Sequence, residues 1–176
     1  MTKSKAAVIL AIFMGISAPA WSADACTDFK WDVSKERALF AGAATELAAG
    51  VDAKSAPEIL ANRLYRLQLV PQDRVQFAAA PGRNAPAAAA YAGLATLKIT
   101  ESGSYRVAID LGSWIDVAAN GSLLAAKDFQ GQHDCSAPHK IVEFDFVARQ
   151  PLILQLSGAT ADRILLAITP TPARIL

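Results

Sequence analysis

His133-Asp134-Cys135-Ser136-Ala137-Pro138-His139-Lys140-Ile141-Val142-Glu143 is the chemically densest segment of the chain. Two imidazoles and one carboxylate are the ligand types of a facial triad, which leaves positions on ferrous iron open for substrate and oxygen. His133, His139 and Glu143 form such a set if the loop folds back on the strand that follows it. The competing expectation is a solvated loop with an oxidised Cys135 and no cofactor. Glu143 stands between Val142 and Phe144, and alternation sends their side chains to the opposite face from its own.

Other chemistry is weakly signalled. No Gly-x-Ser-x-Gly nucleophile turn, Gly-rich phosphate loop or Cys-x-x-Cys pair occurs. Ser102-Gly103-Ser104 reads as a β-turn. Asp110 and Asp116 could pair for glycoside hydrolysis, although each also fits the polar, water-facing position of an alternating strand. Trp31, Trp114, Tyr65, Tyr91 and Tyr105 could stack on a sugar ring, because aromatic faces beside polar groups make ligand platforms. Tyr105 and Trp114 are expected in the core. No catalytic residue is assigned. The candidate ligand-binding set is Trp114, Asp116, Lys140 and Glu143.

The start of the chain reads as an export address. Lys3 and Lys5 precede the apolar run Ala6 to Ile16, and Ser17, Pro19 and the small residues around Ala23 end it, as in a secretory signal peptide. The run is too short for a membrane span. Cleavage is placed after Ala25, with a cut nearer Ser22 or Ala23 as the competing choice, so residues 26–176 form one domain. Lys3, Lys5 and Asp24 leave with the peptide, and the 17 basic and 16 acidic side chains become equal in number. A neutral chain without charge runs gives no basis for nucleic-acid binding. The expected location is periplasmic or secreted, without a membrane span after cleavage.

Cys26 and Cys135 are the two cysteines, and in an exported protein one disulfide is the simplest use of them. The alternative is a lipid-modified Cys26 at the first mature position. Ala23-Asp24-Ala25-Cys26 lacks the large aliphatic residue usual three places before such a cysteine.

These residues must be positioned by regular elements. Ser34 can cap a helix whose apolar spacing runs through Leu39, Phe40, Ala43, Ala44, Leu47 and Ala48 to Gly50. A period of two then begins: Tyr65, Leu67 and Leu69; Val75 and Phe77; Leu97 and Ile99; Tyr105, Val107, Ile109 and Leu111. The stretch around Pro81, Gly82 and Pro86 is a loop. Asn120-Gly121 predicts a two-residue hairpin turn between Trp114–Val117 and Leu123–Leu124. A loop from Gln130 to His139 precedes strands carrying Val142, Phe144 and Phe146; Leu152, Leu154 and Leu156; Ile164, Leu166 and Ile168. Short strands with frequent turns predict a mainly β protein, an antiparallel β-sandwich or jelly roll with a short N-terminal helical or irregular region.

Gly103-Ser104-Tyr105-Arg106-Val107, Trp114-Ile115-Asp116-Val117, Asn120-Gly121, Cys135, His139-Lys140-Ile141-Val142-Glu143-Phe144 and Leu154-Gln155-Leu156-Ser157-Gly158-Ala159 cover roughly the C-terminal half. This pattern resembles a family of small exported proteobacterial β-sandwich proteins of uncharacterised function. Some members carry the label homogentisate 1,2-dioxygenase, which implies ferrous iron; this sequence lacks the cupin His-x-His spacing. More distantly, the pattern is similar to PA14-type carbohydrate-binding modules, which implies a sandwich that binds glycans. The expected function is a non-enzymatic binding or envelope accessory module whose partner is a small molecule, glycan or envelope protein. The alternatives are an iron dioxygenase using His133, His139 and Glu143, and a lipid-anchored envelope protein.

Overall fold

The computed structural model describes Cys26, residues 28–83 and residues 89–172. The signal peptide expected over residues 1–25 lies outside the described residues. One helix, α1 (Ser34–Phe40), is followed by β1 (Thr45–Ala48), β2 (Glu58–Leu60), β3 (Leu64–Gln68), β4 (Val70–Pro71), β5 (Tyr91–Lys98) and β6 (Gly103–Ile109). Then come β7 (Trp114–Ala119), β8 (Ser122–Leu123), β9 (Asp128–Gly131), β10 (Lys140–Phe146), β11 (Leu152–Ala159) and β12 (Arg163–Pro170). Sheet one has the order β1-β3-β12-β6-β10-β9, and sheet two the order β2-β5-β11-β7-β8, with β4 also paired to β5. The two sheets form the expected β-sandwich.

Alternation decides which residues lie between the sheets. Tyr105, Val107 and Ile109 of β6, Val142, Phe144 and Phe146 of β10, and Leu152, Leu154 and Leu156 of β11 share one continuous apolar core. Eight of these nine are no more than 4% exposed, and Phe144 and Phe146 are among the largest fully buried side chains. Tyr105 stacks on Phe146 with ring centroids 5.5 Å apart. The hairpin between β7 and β8 turns at Asn120 (φ 51°) and Gly121 (φ 77°), the two left-handed residues a type I′ turn requires.

Strand direction departs from the purely antiparallel expectation. β1 runs parallel to β3, and β2 parallel to β5, so both sheets are mixed. Both β1 and β2 are edge strands. A period of two fixes which face a side chain takes but says nothing of the direction of the neighbouring strand.

The helix expected over Ser34 to Ala48 is divided. α1 stops at Phe40, and Thr45–Ala48 instead joins the β3 edge, where its backbone groups find strand partners. Alanine supplies little side-chain preference, so tertiary pairing overrides local helical propensity. Ser34 is not the cap; its N–H donates to the Asp32 carboxylate at 2.9 Å. Val75 and Phe77 do not form a strand. A 3₁₀ turn at Gln72–Arg74 precedes a segment in which the Gln76 N–H donates to Val51 O.

The N-terminal segment crosses the outer face of sheet one. Val33 packs with Ala108 and Ile141, flanked by Phe29, Trp31 and Phe40. Under this layer Arg106, 5% exposed, lies 3.8 Å from Glu36 and 3.5 Å from Glu143. Its guanidinium donates to Asp32 O at 2.8 Å and sits 4.7 Å from the centre of the Trp31 ring. Thr169 Oγ1 donates to Glu36 Oε1, and Thr171 Oγ1 to Glu143 Oε2. A Cys26–Cys135 disulfide, spanning 109 positions, joins the start of this segment to the loop between β9 and β10. A thioether-linked lipid on Cys26 would require the same Sγ.

Removing Arg106 leaves two buried carboxylates without their cation, a change that costs about 3–5 kcal/mol. Arg106→Met is therefore expected to lose that much in urea unfolding, whereas Arg66→Met, which breaks the exposed Arg66–Glu46 pair, loses about 0–1 kcal/mol. Comparable losses in the two variants would contradict this role for the cluster. Cys26→Ser is expected to cost about 2–5 kcal/mol in the same assay, and no loss would mean that the bridge does not constrain the chain.

Candidate functional site

At one end of the sandwich, a cleft of about 750 Å³ opens between the β9–β10 loop of sheet one and the ends of β7 and β11 in sheet two. Trp114 lines it. Ile115, Val117 and Ala119 take the core face of β7, so Trp114 and Asp116 fall on the opposite face. The core position expected for Trp114 is thus corrected: its ring is half-buried and lines the cleft.

Asp116 is also not water-facing. Its Oδ1 accepts from Trp114 Nε1 at 3.0 Å and its Oδ2 from the Gly82 N–H at 2.9 Å. A side chain on Gly82 would place its Cβ 3.0 Å from Asp116 Oδ1, so glycine permits this close approach. Gln155, opposite Asp116 in the β7–β11 register, accepts from Ala79 N and donates to Ala79 O. Two nearly buried polar side chains thus fasten the loop before Arg83 onto sheet two.

Lys140 begins β10 and reaches across to the Trp114 ring. Its Nζ lies 4.6 Å from the ring centre and donates to Ser113 O at 3.1 Å. The Arg83 guanidinium approaches the same ring at 5.7 Å. Burial pushes the Lys140 ammonium below the usual lysine range; Asp116 acts in the opposite direction, and Arg83 adds to the depression.

Both histidines line the same cleft, with ring centroids 5.9 Å apart. His139 Nδ1 donates to Cys135 O at 3.2 Å, which leaves Nε2 for other contacts. The loop is closed by Gln132 N donating to His139 O and by His139 N donating to Ile109 O, both at 2.8 Å. Gln132 Nε2 also donates to Asp28 O, tying the loop to the N-terminal segment.

Glu143 is separated from these groups. It belongs to the buried Arg106 cluster, so neither the iron triad nor the four-residue ligand set assembles as expected. Its carboxylate is already committed to a guanidinium and a hydroxyl, and the donor set does not fit ferrous iron. Among the described residues, no three His, Cys, Asp or Glu side chains gather in a metal-binding group. Asp110 and Asp116 are likewise apart in their bonding: Asp110 accepts from the Leu165 N–H in sheet one, whereas Asp116 holds Gly82 against sheet two. Of the five candidate stacking aromatics, Trp114 alone lines the cleft. Tyr65 and Tyr105 are core, Tyr91 packs against the core, and Trp31 covers Arg106.

Sequence reasoning missed Arg83, Phe129 and Ser157 as lining residues. Phe129, 67% exposed, sits on the edge strand β9, inside the segment adjoining the expected loop. The Asp-Phe-Gln-Gly alternation was the available signal for it. Arg83 carries none, because its position depends on the anchoring of the preceding loop.

No protein-family model and no curated protein matches the chain. A β-glucosidase from Kluyveromyces marxianus, solved in complex with glucose, aligns with a TM-score of 0.32 and 11% identity, over 47% of this chain and 10% of that one. The chain therefore spans about a tenth of that enzyme's length.

Two titrations report on the cleft and its surroundings, one from the lining residue Lys140 and one from Asp110, whose carboxylate interacts electrostatically with His139. Burial raises Asp110 above its ordinary 3.8, partly offset by the Leu165 N–H, and lowers Lys140 below its ordinary 10.5. NMR titration is expected to show both displacements. The sign follows from linkage: Asp110 disfavours the folded state above its folded pKa, so stability is gained as pH falls from that pKa toward 3.8. Lys140 disfavours it at lower pH, so stability is gained as pH rises from its folded pKa toward 10.5. Lys140→Met should abolish the alkaline gain, and an unchanged alkaline profile would contradict the assignment.

Proposed function

We propose that this chain is an exported, non-enzymatic binding module whose cleft around Trp114 takes a small saccharide. The observation that carries the reading is the gathering, in one cleft, of the Trp114 indole, the exposed Phe129 ring and the polar side chains of Gln130, Gln132 and Thr160. Sugars present apolar C–H faces and a ring of hydroxyls, and aromatic rings beside amides and hydroxyls match both. The sandwich provides rigid strand ends for Trp114 and Lys140, which keeps the entropic cost of binding low.

Export is supported by the Cys26–Cys135 disulfide, because such bonds persist in oxidising compartments. Among the described residues, no helix is long and apolar enough to cross a membrane. The resemblance to exported sandwich proteins and to PA14-type modules agrees with a periplasmic or secreted glycan binder.

Isothermal titration of the mature protein against a panel of mono- and disaccharides is expected to reveal binding that Trp114→Ala weakens on the order of tenfold or more. Arg66→Met, remote from the cleft, should bind as the parent does. Absence of binding across the panel, or equal affinity in Trp114→Ala, would overturn the reading.

A further inference from the structure

We propose that the saccharide is acidic, with its carboxylate seated by Arg83 and Lys140 beside the Trp114 ring. The inference rests on the glycan-binding reading and adds the charge class of the ligand.

The lining contains Arg83 and Lys140 and, among the described residues, no aspartate or glutamate. Two carboxylates lie behind the lining, and both are turned into protein hydrogen bonds. Asp116 is held by Trp114 Nε1 and Gly82 N, and Asp110 by Leu165 N. Lys140 uses one hydrogen-bond donor on Ser113 O and retains others. Arg83 is exposed, and its one described contact is the face of Trp114. A guanidinium offers five donors in a fork that matches a carboxylate, so this side chain has most of its bonding capacity in reserve.

Two further lining residues carry buried polar atoms without a partner among the described residues: Ser157 Oγ and Gln130 Nε2. Ser157 is 2% exposed and stands opposite Trp114 in the β7–β11 register. A buried polar atom left unpaired is costly, and a hydroxyl and an amide can both donate to ligand oxygens. The unspent capacity of this cleft is therefore donor-rich, which calls for an acceptor-rich ligand.

The cations also bear on selectivity. A neutral sugar stacking on the Trp114 ring must compete with an ammonium 4.6 Å from the ring centre. An acidic sugar turns the same ammonium into a partner. Uronate disaccharides keep the ring face and hydroxyls of their neutral counterparts and add the carboxylate.

The experiment uses the mature, disulfide-bonded protein with three probes: galacturonate, glucuronate and mannuronate disaccharides, their uncharged methyl esters, and inorganic phosphate. At least one uronate is expected to bind on the order of tenfold more tightly than its ester, the loss associated with a charge-assisted hydrogen bond. Arg83→Gln, an exposed substitution that spares the fold, should reduce uronate affinity by a similar factor and so narrow the preference for the acid over its ester. Raising the salt concentration should weaken uronate binding more than ester binding. Equal affinity for acid and ester, or an unaltered Arg83→Gln, would overturn this inference and leave the glycan-binding reading intact. Phosphate binding as tightly as uronate with no ester binding, or no binding by any probe, would overturn both.

Discussion

The buried guanidinium of Arg106 is the constraint on which the outer layer of the molecule depends. It takes a place on the solvent-side face of sheet one that no exposed arginine could hold alone, and it is paired there with Glu36 from α1 and Glu143 from β10. Desolvating three charges is unfavourable unless their geometry and added hydrogen bonds compensate. Asp32 O, Thr169 and Thr171 supply those bonds, and the Trp31 ring closes over the guanidinium. The N-terminal segment is therefore fastened by polar contacts that specify its position as well as by the apolar contacts of Val33, Phe29 and Phe40.

That fastening reaches the cleft through the disulfide and a few hydrogen bonds. Cys26 joins Cys135, Asp28 O accepts from Gln132, and Lys30 N donates to Gln130. These contacts fall on β9 and on the β9–β10 loop, which form one wall of the cleft and carry both histidines. The facing wall is built by a different device, in which Asp116 and Gln155 pin the loop before Arg83 to sheet two. Each wall thus depends on buried polar groups whose hydrogen bonds are specific in direction, while the apolar core between the sheets sets only their separation.

The division of roles between Glu143 and Lys140 illustrates how a strand separates neighbours in sequence. Both lie on β10 and both belong to the same dense segment, yet opposite parity sends them to opposite faces of sheet one. Lys140 reaches the cleft and Glu143 enters the Arg106 cluster. A facial triad read from residue types alone fails for this reason. His133 and His139 do come together, because the loop that carries them is folded back by the hydrogen bonds of Gln132 N to His139 O and of Cys135 N to Gln132 O.

The sandwich class, the apolar faces of β6, β10, β11 and β12, the Asn120-Gly121 turn and the pairing of Cys26 with Cys135 were legible in the sequence. Of the expected ligand set Trp114, Asp116, Lys140 and Glu143, Trp114 and Lys140 line the cleft, Asp116 supports the Trp114 indole from behind it, and Glu143 belongs to the Arg106 cluster. These signals are local: side-chain parity, turn chemistry and the pairing of two cysteines act over short stretches or admit few alternatives. Tertiary structure alone decided the parallel edges formed by β1 and β2, the shortening of α1, the burial of Arg106, and the approach of Arg83 to Trp114. Those features depend on which distant backbone or charge becomes the partner, and a periodic pattern carries the face of a residue but not the identity of its neighbour across the fold.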